Sequence, residues 1–106
     1  MVQAAIKQAI KEAKHKFAFH GVIVVKGGAI VATGSNHDDR HAEVVALSKL
    51  WPSKRKGTTV ISVRVRKTGT VGMAKPCQAC EQFLRDNGVK KVVYSDACGQ
   101  MHTMKL

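Results

Sequence analysis

The amino-acid sequence predicts an α/β fold, a single domain in which short strands alternate with amphipathic helices. Its 106 residues are within the range of roughly 100 to 150 that one hydrophobic core organises. Along the chain, apolar residues change from the spacing of a helix to the alternation of a strand and back again. We therefore expect one domain, residues 1–106, with one core and one functional site.

The first half of the chain predicts a helix, a hairpin and a second helix. Apolar residues at helical spacing, with lysines on another face, indicate a first helix that ends near Lys16. Two short β-branched segments, Gly21–Val25 and Ala29–Thr33, are separated by glycines and predict two antiparallel strands. After a polar loop at 34–40, the period of the apolar residues in His41–Leu50 indicates the second helix.

The second half predicts a third strand, a third helix and a final hairpin. Pro52 ends the second helix and a basic loop follows, so that the next strand is Thr58–Arg66, with apolar and polar residues on opposite faces. The remaining elements are separated by glycine-containing loops and turns. They are a helix from Cys77 to about Asn87, a strand at Lys91–Ser95, and a fifth strand at Gln100–Lys105 that is antiparallel to the fourth.

The chain is strongly basic, with 18 Lys and Arg against 7 Asp and Glu and a formal net charge of +11. Such a positive field attracts polyanions, so we expect single-stranded nucleic acid as a partner, although the charge could also serve solubility alone. No apolar run approaches the roughly 20 residues that a membrane span needs, so no membrane partner is expected. The N-terminus lacks the pattern of a secretory signal, which favours a cytoplasmic location. The oligomeric state stays open.

Two short motifs bring together residue types that bind zinc. His41 opens the second helix, while Cys77 and Cys80 open the third, after Pro76. A helix N-terminus favours thiolates, which are the form of cysteine that binds a metal. Three protein ligands leave a fourth zinc position open to water, as in catalytic sites. We therefore expect one Zn²⁺ per chain, held by His41, Cys77 and Cys80.

Glu43 is the candidate for proton transfer, since it lies two residues beyond His41 on the same helix. A carboxylate there can take a proton from water and deliver it to a leaving amine. Simpler alternatives exist: Glu43 could merely favour the helix dipole, and the cysteine pair could be a redox pair or half of a structural zinc site. Cys98 is left over and is expected to be incidental.

These motifs, H-A-E at 41–43 and P-C-Q-A-C at 76–80, resemble the zinc-binding signature of the cytidine and deoxycytidylate deaminase superfamily of zinc-dependent nucleobase deaminases. The chain looks like a small, phage- or toxin-like member. The resemblance implies a cytidine deaminase-like three-layer α-β-α fold, with a mixed sheet of about five strands whose last two are antiparallel. It also implies that residues 1–106 form one zinc-dependent deaminase domain, a hydrolase.

The resemblance suggests several substrate contacts. Asn36, at the end of the second strand, and Asp38 are expected to contact the nucleoside, and Ala42 lies within the zinc motif beside them. Arg66 and Lys75 flank the loop that leads to the cysteines, where they could contact phosphate. The competing interpretations are a polar turn for Asn36 and Asp38 and a solvated surface for the two cations.

The predicted activity is hydrolytic deamination of cytosine to uracil in single-stranded DNA or RNA, because a charge of +11 is hard to explain with a small neutral nucleoside. The alternatives are a free cytidine, deoxycytidine or nucleotide deaminase, an adenine deaminase, and a non-catalytic zinc-stabilised module that binds nucleic acid. Glu43 distinguishes the last of these, since a binding module does not need a carboxylate beside an open metal position.

Overall fold

The computed structural model describes residues 18–35, 41–66 and 71–106, so the helix predicted before Lys16 lies outside the described residues. It contains a mixed sheet with helices packed against it. The strands are β1 Ala18–Lys26, β2 Ala29–Ser35, β3 Thr59–Arg66, β4 Val71–Gly72, β5 Lys91–Ser95 and β6 Met101–Lys105. The helices of the described ranges are α1 Ala42–Ser48, α2 Pro52–Arg55 and α3 Gln78–Asp86.

The sheet has the order β2-β1-β3-β5-β6, and the predicted mixed α/β fold is confirmed. Only β3 and β5 pair in parallel among the described strands, and α3 lies between them in the chain. The last two strands are antiparallel, as predicted, with Tyr94 opposite His102. The short β4, which falls in the predicted loop between the third strand and the cysteines, adds a sixth strand because β3 extends past β5 and pairs there with Gly72.

One strand start and one loop differ from the predictions for identifiable reasons. The first strand begins at Ala18, earlier than predicted, because its partner β3 continues to Arg66 and supplies hydrogen-bonding groups along the whole length. The segment predicted as a basic loop contains the short helix α2. Pro52, which ends the preceding helix, also occupies the first turn of α2, where its missing N–H is not needed.

The main core lies between the sheet and the helices α1 and α3. Gly34 allows α1 to lie close to β2, since a Cβ on Gly34 would be 2.6 Å from the backbone nitrogen of Ala46. This close packing sets the position of the residues at the start of α1. The buried residues of this core are Val22, Val24, Ala32, Ala42, Ala46, Leu47, Val60, Leu84, Val89 and Val92.

Strand β3 departs from the two-faced pattern that its sequence indicates. Val63 and Val65 belong to a second cluster of buried apolar residues, as expected for the apolar face. Ser62, on the face predicted to be polar, is fully buried as well. The reason is that this face of β3 lies under the helical layer, where the serine hydroxyl has partners within the protein.

None of the helices in the described part of the chain is long and apolar enough to cross a membrane.

Candidate metal centre and active site

The three predicted metal ligands come together where α1 and α3 begin. His41 and Cys77 are the N-cap residues of these helices, and neither side chain is used in a capping hydrogen bond. Cys80 lies in the first turn of α3. The ligand atoms of the three side chains, a ring nitrogen and two Sγ atoms, all lie within 4.8 Å of one another.

This donor set fits zinc. One imidazole and two thiolates match its preference for nitrogen and sulfur, and tetrahedral bonds of about 2.0–2.3 Å place neighbouring ligand atoms roughly 3.5–4 Å apart. The side chains therefore need to close by only about 1 Å to hold the ion. Cys98 is exposed in the turn before β6, and the cluster found among the described residues does not include it.

The cysteines differ in environment. Cys77 is exposed and Cys80 is buried. Burial, the neighbouring Glu43 carboxylate and the contact with Cys77 raise the pKa of the Cys80 thiol to about 12. Because zinc binds the thiolate, metal binding releases the proton from Cys80.

Glu43 lies on the inner side of the cluster, with only 1% of its surface exposed. Its Oε1 is buried without a hydrogen-bond partner. Every other buried side-chain nitrogen or oxygen in the described ranges has such a partner. Burial raises the pKa of this carboxyl, against the opposing effects of its backbone hydrogen bond and of His41 and Arg64. An unsatisfied buried carboxylate costs stability, so its presence beside three metal ligands points to a chemical role.

His20, a buried residue of β1, lies beside Glu43, with 3.7 Å between His20 Nδ1 and Glu43 Oε1. Burial, together with the charges of Arg64 and His41, lowers the pKa of His20 to about 3, so its ring is neutral and this contact is not an ion pair. Ser62 Oγ donates its proton to the carbonyl oxygen of Ala74 at 3.1 Å. With the Ser62 proton on the Ala74 carbonyl, His20 Nε2 is the donor to Ser62 Oγ, at 2.6 Å, and Nδ1, on the side of Glu43, is the unprotonated nitrogen.

Two buried serines hold the loop that delivers the cysteines. Ser62 bonds to Ala74, while Ser95 Oγ donates to the carbonyl of Gly72 at 2.7 Å. The backbone of Ala74 also donates to the Ser95 carbonyl at 2.9 Å. The loop before Cys77 is thus fixed to β3 and β5, which sets the position of the first thiol.

The proposed substrate residues have different placements. Lys75 is exposed in the loop before α3. Ala42 is fully buried within the main core. Asn36 and Asp38 lie outside the described residues, as does the side chain of Arg66.

Sequence reasoning gave no role to Ser62 or Ser95, and for His20 it left two interpretations open, a residue that lines the pocket or an ordinary polar residue at the edge of the first strand. The signal that could have indicated them is a polar residue within a run of valines or beside one, as in Val60-Ile61-Ser62-Val63 and Val92-Val93-Tyr94-Ser95. A buried serine there needs a partner inside the protein. The identity of that partner depends on β1, β3 and β5 being neighbours in the sheet, which is not evident from local sequence.

The sequence model of the cytidine and deoxycytidylate deaminase zinc-binding region matches residues 1–96 of this chain. None of the curated protein sequences compared with the chain matches it. Several solved structures are similar to it. The apo dCMP deaminase of the cyanophage S-TIM5 has 26% sequence identity and a TM-score of 0.59, over 91% of this chain and 82% of the phage protein.

That phage enzyme has also been solved in complex with dCMP and dUMP, at 25% identity and a TM-score of 0.58 over 90% of this chain and 80% of that one. Acinetobacter baumannii RibD is similar in fold, with 24% identity and a TM-score of 0.62 over 90% of this chain. The present chain spans only 27% of the length of that RibD.

Proposed function

Because the chain belongs to the cytidine and deoxycytidylate deaminase family and is a zinc-dependent deaminase, we propose that it converts cytosine to uracil in single-stranded DNA or RNA. The observation that carries the chemical part is the buried, unpartnered Glu43 Oε1 beside the cluster of His41, Cys77 and Cys80. The polymer part rests on the charge of +11, which attracts a phosphate backbone far more than it attracts a neutral nucleoside.

In the proposed reaction, cytosine and water give uracil and ammonia. His41, Cys77 and Cys80 would hold a zinc ion, which would supply activation of the attacking water. Glu43 accepts a proton from this water as the water oxygen bonds to the ring carbon that carries the amine, and it delivers this proton to the ring nitrogen. Glu43 then moves the remaining hydroxyl proton to the amino group, which leaves as ammonia when the C–N bond breaks. The raised pKa of Glu43 suits this role, because a carboxyl that must both accept and donate a proton works best when its pKa is near the operating pH.

His20 is proposed as a positioning residue for Glu43. Its ring is neutral and its orientation is set by Ser62, so that Nδ1 presents a lone pair towards Glu43 Oε1. A protonated Glu43 can be steered by such an acceptor, whereas an imidazolium would hold the carboxylate in its charged form. His20 therefore favours the proton-carrying state that delivery to the substrate requires.

A second candidate function is deamination of a free nucleotide such as dCMP. The similarity to the phage dCMP deaminase favours it, since that similarity extends over most of both chains. The two candidates share the chemistry at Glu43 and differ in what the surface outside the site must bind.

The test is to incubate the zinc-loaded protein with single-stranded DNA, single-stranded RNA, cytidine and dCMP, and to detect the exchange of amine for carbonyl by mass spectrometry. Conversion within an oligonucleotide supports the first candidate, whereas conversion of dCMP alone supports the second. Glu43→Gln is expected to keep its zinc and to lower turnover by at least about 10²- to 10⁴-fold. Glu81→Gln, on the exposed side of α3 where Glu81 pairs with Arg85, is the matched control and should remain active.

A further inference from the structure

Trp51 is far more exposed than is usual for a large aromatic side chain. It lies between α1 and α2 with 79% of its surface open to solvent, the largest value among the exposed large apolar residues in the described part of the chain. Its backbone is fixed, because its carbonyl accepts a hydrogen bond from the Lys54 amide at 2.8 Å and Pro52 follows it. A solvent-exposed indole on a fixed backbone indicates a binding role rather than packing.

The ring of Trp51 borders a surface pocket of about 460 Å³. This volume is within the roughly 300–1,000 Å³ that is typical of sites for small molecules and cofactors. The pocket is therefore large enough for a planar ring to enter beside the indole. Its lining residues are Ser48, Lys49, Leu50, Trp51, Pro52 and Arg55.

The surroundings of Trp51 carry uncompensated positive charge. Residues 48–57 contain four Lys and Arg and no Asp or Glu. Within the described ranges, none of these cations forms an ion pair with a carboxylate: Lys49 donates to the Thr33 carbonyl at 2.7 Å, and Arg55 donates to the Leu50 carbonyl and to the side-chain oxygen of Asn87. Lys54 and Lys56 are exposed.

We propose that the Trp51 surface, formed by Lys49, Trp51, Lys54, Arg55 and Lys56, binds single-stranded nucleic acid, with one unpaired base stacked on the indole and neighbouring phosphates against the lysines. This combination of an aromatic face and flanking cations is how sequence-tolerant single-strand binding is achieved. A duplex would hide the faces of its bases from the indole. A second copy of the chain is disfavoured as the occupant because each copy carries a charge of +11.

The inference rests on the proposed function for its link to catalysis. Helix α1, Ala42–Ser48, runs from the metal cluster towards Trp51 and spans about 10 Å at 1.5 Å per residue, and the chain then continues through Lys49 and Leu50 to Trp51. A strand rising at least ~3.4 Å per nucleotide covers this distance with a few nucleotides. The Trp51 surface can therefore hold a strand whose cytosine lies in the active site.

The first experiment uses the fact that Trp51 is the single tryptophan of the chain. Intrinsic fluorescence is followed while the zinc-loaded protein is titrated with an oligothymidylate, with a duplex of equal length, and with an abasic sugar-phosphate strand of equal length. Oligothymidylate has no cytosine, so binding is measured without turnover. Quenching by oligothymidylate, with weaker or no quenching by the other two, is the expected result. Equal quenching by all three would mean that charge alone is recognised and would overturn the stacking proposal.

Variants then test each part of the surface by anisotropy of a labelled oligothymidylate. Trp51→Ala is expected to lose about 5- to 150-fold in affinity, the equivalent of one base stack, and Trp51→Phe to lose much less. The double variant Lys54→Ala/Lys56→Ala should weaken binding and flatten its salt dependence. Its control is Lys26→Ala/Lys105→Ala, which removes equal charge from other exposed positions. Equal losses in both double variants would overturn the assignment of the phosphate contacts to this surface.

The two proposals fail in different ways. If oligonucleotides are deaminated while Trp51→Ala binds and reacts as the unmodified protein does, the Trp51 surface is wrong and the proposed function stands. If oligothymidylate quenches Trp51 but only dCMP is deaminated, the surface binds nucleic acid and the polymer substrate is wrong.

Discussion

At the scale of single residues, the candidate active site depends on buried polar groups as much as on the exposed side chains that are expected to bind the metal. His41 and Cys77 are exposed, whereas Glu43, His20 and Ser62 are all buried. Burial removes competing water, so the orientation of Glu43 is set by neighbouring side chains. With the Ser62 proton on the Ala74 carbonyl, His20 donates from Nε2 to Ser62. The imidazole nitrogen beside Glu43 is then the unprotonated one.

Ser62→Ala tests this orientation. The variant removes the acceptor for His20 Nε2 and leaves a buried donor unsatisfied, which costs about 1–3 kcal/mol of unfolding free energy. We expect kcat to fall on the order of 10-fold with little change in KM, since changes in outer-shell partners typically cost 10–100-fold. Steady-state kinetics and urea unfolding measure the two effects.

Ser95→Ala is the matched control for Ser62→Ala. Ser95 is also fully buried and anchors the same loop, through Gly72, without contacting His20 in the hydrogen bonds described for it. Both variants should lose similar stability, but only Ser62→Ala should lose much of its kcat. If the two lose kcat equally, the serines act on the loop before Cys77 and not through His20.

At the scale of elements, the metal site is built by two helix starts. Helices α1 and α3 are short and come from distant parts of the chain, yet His41 and Cys77 are both N-cap residues. A metal that binds both ends links the helices, so it stabilises the folded state by an amount that grows with free metal concentration. The family and the geometry both make zinc the expected ion.

Zinc should therefore raise the melting temperature. Zinc at about 1,000 times its Kd adds roughly 4 kcal/mol, and a chelator should reverse the increase. His41→Ala should remove most of this dependence because only two ligands remain. Cys98→Ser is the control, since Cys98 is exposed outside the cluster, and it should respond to zinc as the unmodified chain does. The measurement is thermal unfolding of each variant with and without chelator. If zinc raises the melting temperature of His41→Ala as much as that of the control, His41 is not a ligand.

The close contact of α1 with β2 makes a second prediction about elements. In Gly34→Ala the new Cβ would meet Ala46 N, Ala42 O and Ala46 Cα at 2.6, 2.8 and 2.9 Å, all of them backbone atoms. The helix must shift, which costs on the order of 1–3 kcal/mol and moves His41 and Glu43 away from the cysteines. Urea unfolding and zinc titration should both show the loss.

Gly28→Ala separates backbone strain from this displacement. Gly28 has a φ of +80° and open space around its Cβ position, in the β1–β2 turn. The alanine there is strained and lowers stability by about 1–2 kcal/mol, without moving α1. Zinc affinity and turnover should stay unchanged in this variant. A loss of zinc affinity as large as that of Gly34→Ala would show that general destabilisation, and not the position of α1, controls the site.

For the molecule as a whole, local sequence patterns predicted the helices and strands better than they predicted which strands pair with each other in the sheet. The spacing of apolar residues and the zinc motifs predicted α1, α3 and the final hairpin, because these depend on residues close in the chain. The extension of β1 to Ala18 and the short β4 depend on pairing with the far end of β3, which local sequence does not encode. The same is true of His20, whose role arises only because β1 lies next to β3.

The global charge is the property that most clearly separates the two candidate substrates. If the chain acts on single strands, kcat/KM for a cytosine-containing oligonucleotide should fall with added salt at a slope of about −0.7 per phosphate contacted. A footprint of about four phosphates then gives a roughly 50-fold loss between 50 and 200 mM salt. Deamination of dCMP, which is not a polymer and has no condensed counterions to release, should change little over the same salt range.

Rates are measured at substrate concentrations below KM across the salt series. The quantity compared is the ratio of kcat/KM for the oligonucleotide to kcat/KM for dCMP. Lys54→Ala/Lys56→Ala should reduce the slope for the oligonucleotide by about 1.4, the loss of two phosphate contacts, and leave dCMP unaffected. Parallel slopes for the two substrates in the unmodified protein would mean that the strand outside the active site makes no ionic contact. In that case the charge of +11 serves another purpose, and the free nucleotide is the substrate that the surface allows.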